Sequence, residues 1–187
     1  MFSGARGLGC PEVALGKMFW RMFNRKATLE NDMRHANVDE IKEIFAYFRA
    51  RRDIFPHIRQ DALERRIQAG QCVYEDGVVI TYQQYKKRTK VGDVDVPRGA
   101  VMLHQILNSR QFNGAGHRVF ERFCDEVVKP LGGKVYLSVR ADNTVARNFY
   151  ERHGMKVVGT VSWKGGAIPG LVYFRHCGKS EDTVVRF

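Results

Sequence analysis

The stretch from Val101 to Gly154 constrains this chain most, because it sets strand-length apolar runs and helix-period runs in alternation, each closed by a turn residue. Val101 to Leu107 is short and largely apolar and reads as a strand. Met102, His104 and Ile106 are expected on one face, with Leu103, Gln105 and Leu107 on the other. After a loop, Gln111-Phe112-Asn113-Gly114-Ala115-Gly116 leads into a run with Val119, Phe120, Phe123, Val127 and Val128 at helical spacing, and Pro130 and Gly132-Gly133 end it. Val135 to Val139 is a second strand. Asp142 or Asn143 can then cap a second helix, in which Ala146, Phe149 and Tyr150 share a face and Gly154 is the stop.

Glycines between a strand end and a helix start let backbone N–H groups approach an anion, and the positive end of the helix dipole adds to the attraction. A pyrophosphate is the expected ligand. The turn lacks the Gly-Lys-Ser/Thr ending of a Walker loop and the three glycines of the dinucleotide fingerprint. The combination Q-x-x-G-x-G, a strand, then N-x-x-A-x-x-F-Y-E-x-x-G-M resembles the acetyl-CoA-binding core of the GNAT N-acetyltransferase superfamily, and the resemblance extends over roughly Met33 to Phe174. It implies an α/β GNAT fold: a mixed, twisted central sheet flanked by helices, with a cleft where two neighbouring strands splay apart.

The same resemblance implies a donor site for acetyl-CoA as co-substrate. Backbone amides from Gln111 through Phe112, Asn113, Gly114, Ala115 and Gly116 to His117 would bind the pyrophosphate. Main-chain groups of Gln105 and Ile106 would pair with the pantetheine arm like an added strand, and the Asn143 side chain would contact that arm. Tyr150 holds the family's tyrosine position, from which a hydroxyl protonates the leaving thiolate. Gln111 stands where arginine is commoner.

On the acceptor side the chain departs from the pattern. Some members carry a glutamate six positions before the residue matching Ile106, and here that position is Ala100, which takes no proton. His104 stands two positions before Ile106, and an imidazole is suited to a base at neutral pH, although a lone histidine in an apolar strand also reads as a core residue. Deprotonation through water near Tyr82, Tyr85 or Glu75 is the other route.

Upstream, Ile41, Ile44, Phe45 and Phe48 recur at helical spacing after Asp39 and Glu40, and Ile58, Leu63 and Ile67 suggest a second helix ending at Gly70. Met33 onward, MRHANVDEIKEIFAYF, resembles the first strand and first helix of a GNAT domain. Gln71 to Glu75, Asp76-Gly77 and Val78 to Arg88 read as a hairpin. Its polar and aromatic second strand, with Tyr82 and Tyr85, is expected to line the acceptor groove. Val91 to Pro97 reads as a connecting loop, and Met155 to Trp163 and Ile168 to Phe174 as two further strands joined at Gly165-Gly166.

Residues 1–32 differ in composition: glycines, a Met/Phe/Trp cluster and basic residues. They read as an extension to a domain spanning 33–176, with a tail at 177–187. An organelle transit peptide, a nucleic-acid arm, a partner-binding helix and upstream sequence read through from an early start codon are the alternatives. The four cysteines are scattered without a C-x-x-C pair, which argues against a metal or a disulfide framework and for a reducing, cytoplasmic setting. No apolar run reaches the roughly 20 residues that span a bilayer, so no membrane partner is expected. Lys and Arg number 31 against 20 Asp and Glu, a formal charge of +11 that favours anionic partners.

Three functions follow: an N-acetyltransferase that moves acetyl from acetyl-CoA to a primary amine by direct attack in a ternary complex; a GNAT-fold enzyme modifying nucleic acid or aminoacyl-tRNA; and a non-catalytic acyl-CoA-binding module. A homodimer is a further expectation.

Overall fold

In the computed structural model, which describes residues 32–110 and 114–178, the chain from Met33 builds a six-stranded mixed sheet in the order β1-β2-β5-β6-β8-β7, beside a separate two-stranded hairpin, β3-β4. The strands are β1 (Cys72–Glu75), β2 (Val78–Gln84), β3 (Thr89–Val91), β4 (Val94–Val96), β5 (Val101–Asn108), β6 (Lys134–Arg140), β7 (Lys156–Trp163) and β8 (Ile168–His176). Only β5 and β6 run parallel; every other neighbour in the sheet is antiparallel.

Two helices cover part of one face. In α1 (Ile41–Ala50), Ile41, Ile44 and Phe48 recur at helical spacing and are buried, and Glu40 Oε2 accepts from the Asn37 N–H at 2.9 Å in the turn before it. In α2 (Gln60–Gln68), Leu63 and Ile67 do the same. They pack over Cys72, Tyr74, Val79 and Leu107. The β3-β4 hairpin covers the neighbouring part of the sheet, where Val96 packs with Ala100, Met102, Tyr136 and Val172.

The opposite face carries the main core. There α3 (Ala115–Arg122), continued by a π turn over Phe123–Val128, and α4 (Thr144–Arg152) set Val119, Phe120, Phe123 and Tyr150 against Val78, Ile80, Val101 and Leu103. Full burial of one such large apolar side chain contributes about 1.5–3 kcal/mol, so fully buried side chains such as Ile44, Phe48, Phe120 and Phe123 fix which face each helix covers.

Four sequence expectations change. Val91 to Pro97 is not a loop: Val91 pairs with Val94 across Gly92-Asp93, and Gly92 takes the positive φ of +61° that the first central position of such a turn requires. Residues 33–36 form no strand, only a bridge between His35 and Val73. β2 stops at Gln84, because the Tyr85 N–H turns to the Ala100 carbonyl (2.9 Å) and the Gly99 N–H to the Tyr85 carbonyl (2.8 Å). In β5 the simple alternation fails, since Leu103 and Ile106 both pack on the main core while Met102 and Leu107 face the other side. A bulge causes this: Gln105 lies opposite Thr81 and Leu103 opposite Tyr82, so His104 is the extra residue. The expectations for residues 1–31 and 179–187 fall outside the described residues.

Candidate active site

The parallel pairing of β5 with β6 covers only Val101–Leu103 against Val135–Leu137. Both strands continue, β5 to Asn108 still bonded to β2 and β6 to Arg140 still bonded to β8. They therefore part just beyond Leu103 and Leu137, and each presents an unpaired edge of backbone N–H and C=O groups to the gap. Such an edge is a template for an extended ligand that carries amides of its own. Gln105 and Ile106 lie along the open part of β5.

Past the end of β5, Gly114 caps α3 in the left-handed conformation at φ +71°, a position without strain only for glycine. Ala115 and Gly116 form the first helical positions. Gln111, Phe112 and Asn113 lie outside the described residues. The expectation that the His117 amide faces a ligand is corrected, because that N–H is already donated to the Gly114 carbonyl at 3.2 Å, as is that of Arg118 at 3.3 Å. What His117 can offer is its imidazole.

Asn143, rather than Asp142, is the cap of α4: its Oδ1 accepts from the Ala146 N–H at 3.1 Å, so its amide nitrogen is what remains for a ligand. Tyr150 lies in the last turns of that helix, 6 % exposed, ringed by Phe120, Phe149 and Tyr173 at 5.5–6.3 Å between centroids. Burial raises its hydroxyl well above the usual tyrosine value, so it is fully protonated at neutral pH.

His104 sits at the bulge where the strands part. Its Nε2 is buried and makes no hydrogen bond. Burial, together with the positive charge of Arg66, pushes the imidazole down to about 4. It is thus neutral and a weak base at pH 7, which weakens its reading as the general base. Arg66 reaches the same place from α2, donating to the Tyr82 carbonyl at 3.0 Å.

Tyr82 belongs to the core, not to a groove wall: it is 6 % exposed, its ring meets Phe123 at 5.2 Å, and its hydroxyl donates to the Gly70 carbonyl at 2.9 Å. Tyr85 is half-buried, and burial raises its hydroxyl. Glu75 is held by Arg122 and by the Arg34 N–H at 3.2 Å.

A cluster that the sequence reading missed joins α3, α4 and β8. Arg175 grips Glu121 with both nitrogens, at 2.8 and 2.9 Å. Glu121 Oε1 contacts His153 Nδ1, and His153 Nε2 lies 2.8 Å from His117 Nδ1. The only trace in the sequence is the four-residue spacing of His117 and Glu121, one helical turn. Among the described residues no group of three His, Cys, Asp or Glu side chains is placed to hold a metal ion, and no helix is long and apolar enough to cross a membrane.

No protein-family model and no curated protein matches the sequence. Solved structures do. A GNAT-family acetyltransferase of Streptococcus agalactiae superposes with a TM-score of 0.60 at 17% identity over 79% of this chain and 96% of its own. Naa20 of Chaetomium thermophilum, solved with a bisubstrate analogue, gives 0.61 at 12% identity over 77% and 85%. YncA of Salmonella typhimurium, solved with acetyl-CoA, gives 0.58 at 14% identity over 80% and 95%. At such identities the likeness is one of architecture: this chain is built on the GNAT acetyltransferase fold.

Proposed function

We propose that the chain is an acetyl-CoA-dependent N-acetyltransferase that moves the acetyl group to a primary amine by direct attack within a ternary complex. The observation that carries the reading is the parting of β5 from β6 beside the glycine-capped start of α3. An open strand edge suits the amide-bearing pantetheine arm, at Gln105 and Ile106, and a helix start suits its pyrophosphate, at Gly114 to Gly116. The Asn143 amide nitrogen is the third contact of the arm.

Transfer needs amine and thioester held together and a proton for the leaving thiolate. Tyr150 is assigned that proton: its raised value means that it has one to give at any physiological pH. His104 is too weak a base to take the amine proton at pH 7, so the proton leaves through water, with Tyr85 the remaining polar side chain at the end of β2.

Isothermal titration of the full chain with acetyl-CoA tests the donor site, with Gly114→Glu as the control. A side chain at φ +71° is strained and a carboxylate there opposes an anion, so the variant is expected to lose binding. Thiol release with a panel of amines, and with total tRNA because of the +11 charge, identifies the acceptor class. A native chain that does not bind acetyl-CoA refutes the reading.

A further inference from the structure

One face of the sheet carries two apolar covers with a polar strip between them. Toward one end α1 and α2 pack over Val79 and Leu107; toward the other the β3-β4 hairpin packs over Ala100 and Met102, with Tyr85 against them. The residues between those ends belong to neither cluster: Thr81 and Gln83 on β2, His104 and Gln105 on β5. Ile80 and Tyr82 point into the main core, so Thr81 faces the covered side, where its hydroxyl donates to Gln105 Oε1.

Arg66 enters this strip from the last turn of α2. It is half-buried, and its Nη1 donates to the Tyr82 carbonyl at 3.0 Å. Its neighbours Arg59 and Arg65 pair with Asp61, but Arg66 forms no ion pair among the described residues. The titratable groups facing its charge are Cys72, Tyr85 and His104. All three are neutral at pH 7: burial pushes the Cys72 thiol up to about 12 and raises the Tyr85 hydroxyl, while the His104 imidazole is pushed down to about 4. A guanidinium stays charged at that pH. A half-buried positive charge is thus left with carbonyl dipoles, from Tyr82 and the end of α2, and no anion.

The donor fixes where this charge lies relative to the chemistry. Its pyrophosphate is assigned to Gly114 to Gly116, beyond the Asn108 end of β5, and its arm runs back past Ile106 and Gln105 toward Leu103, where β5 closes on β6. The thioester end therefore reaches His104. Leu103, the next residue, lies opposite Tyr82, whose carbonyl holds Arg66. With Nη1 on that carbonyl, the edge formed by Nε and Nη2 remains as a two-pronged donor, the geometry that fits a carboxylate.

We propose that the acceptor is an amine that carries a carboxylate, and that Arg66 binds this carboxylate and so holds the amine against the thioester. The inference rests on the acetyl-CoA reading above. The bonds made and broken are those of the transfer already described, and Arg66 takes part in none of them. The α-carboxylate of a free amino acid and the side-chain carboxylate of an acidic peptide N-terminus offer the same chemistry.

Two measurements test it. The first is kcat/KM for thiol release with matched amines: free amino acids against their α-amides, and C-terminally amidated peptides beginning with Asp or Glu against those beginning with Asn or Gln. In one set the carboxylate member is expected to lead by about 10- to 100-fold, the usual worth of hydrogen bonds to a charged group, and that set identifies the source. Arg66→Gln keeps a donor for the Tyr82 carbonyl without the charge, and should bring the ratio close to one. Arg66→Lys keeps the charge and should retain part of the ratio, which loss of packing does not produce. A native ratio close to one in both sets, a ratio unchanged in Arg66→Gln, or O-phosphoethanolamine outrunning every carboxylate overturns the inference and leaves the transferase reading standing. The second is NMR of the Arg66 Nε–H in the native chain with CoA present, which reads the subsite without catalysis. The carboxylate members should move this signal and their neutral partners should not; a signal that no carboxylate moves overturns the inference. A signal that moves in a chain that transfers no acetyl group leaves Arg66 as a carboxylate site and overturns the transferase reading.

Discussion

His104→Leu separates electrostatics from packing at the point where the strands part. In the folded chain the imidazole is pushed down to about 4, against about 6.5 when unfolded. Because the folded value is the lower one, the unfolded chain binds more protons between the two values, so stability falls as pH drops through that window and the full loss is reached below about pH 4. At about 1.36 kcal/mol per pH unit the complete effect is about 3.4 kcal/mol, of which about 2 kcal/mol falls between pH 7 and pH 5. His153 and the carboxylates titrate in native and variant chains alike, so the difference between the two isolates His104. Leucine also removes a buried nitrogen that has no partner, a group that costs about 1–3 kcal/mol to leave unpaired, so the variant should be at least as stable at pH 7. Urea unfolding followed by circular dichroism at pH 7 and pH 5 gives all four stabilities. If native chain and variant lose the same stability on acidification, the imidazole is not held neutral and its assignment as a weak base fails.

Three further substitutions address other elements. Tyr150→Phe removes only the hydroxyl: acetyl-CoA affinity should stay constant while turnover falls about 10²- to 10⁴-fold, the usual worth of a positioned acid, and turnover within threefold of native would exclude the role. Gly92→Ala places a Cβ 1.9 Å from the Thr160 carbonyl oxygen at a backbone φ of +61°, so the tip of β3-β4 must lift. A melting temperature unchanged in that variant would show that the hairpin is not held there. Asn143→Ala deletes the bond to the Ala146 N–H and should destabilise by about 1 kcal/mol; a urea midpoint equal to native would mean that the cap contributes nothing.

The donor half of the fold was legible because its signals are local. Gly114, Asn143 and the helical spacing of Phe120 and Phe149 each follow from a few consecutive residues. The β5 bulge was not, since a run as apolar as VMLHQILN says nothing about where one residue will be left over, and that slip reassigned Leu103, Ile106 and His104 together. The hairpin at Gly92-Asp93 carried a signal of the same kind as Asp76-Gly77 but was masked by its three-residue strands. Tyr82 was misplaced for a different reason, because its partner, the Gly70 carbonyl, lies twelve residues away and is supplied by the end of α2. The cluster around Glu121 needed three elements to meet, which spacing alone never reports.

The small hairpin also covers part of an open margin of the sheet. β7 is the last strand of the sheet, with Val157 and Val158 48 % and 43 % exposed, the sort of margin on which a second chain could build a growing cross-molecular ladder. The tip of β3-β4 occupies it midway: the Asp93 N–H donates to the Thr160 carbonyl at 3.1 Å, and the Asp93 carboxylate takes the Thr160 N–H at 2.7 Å. One aspartate thus closes both backbone valences of a single mid-strand residue to any incoming strand.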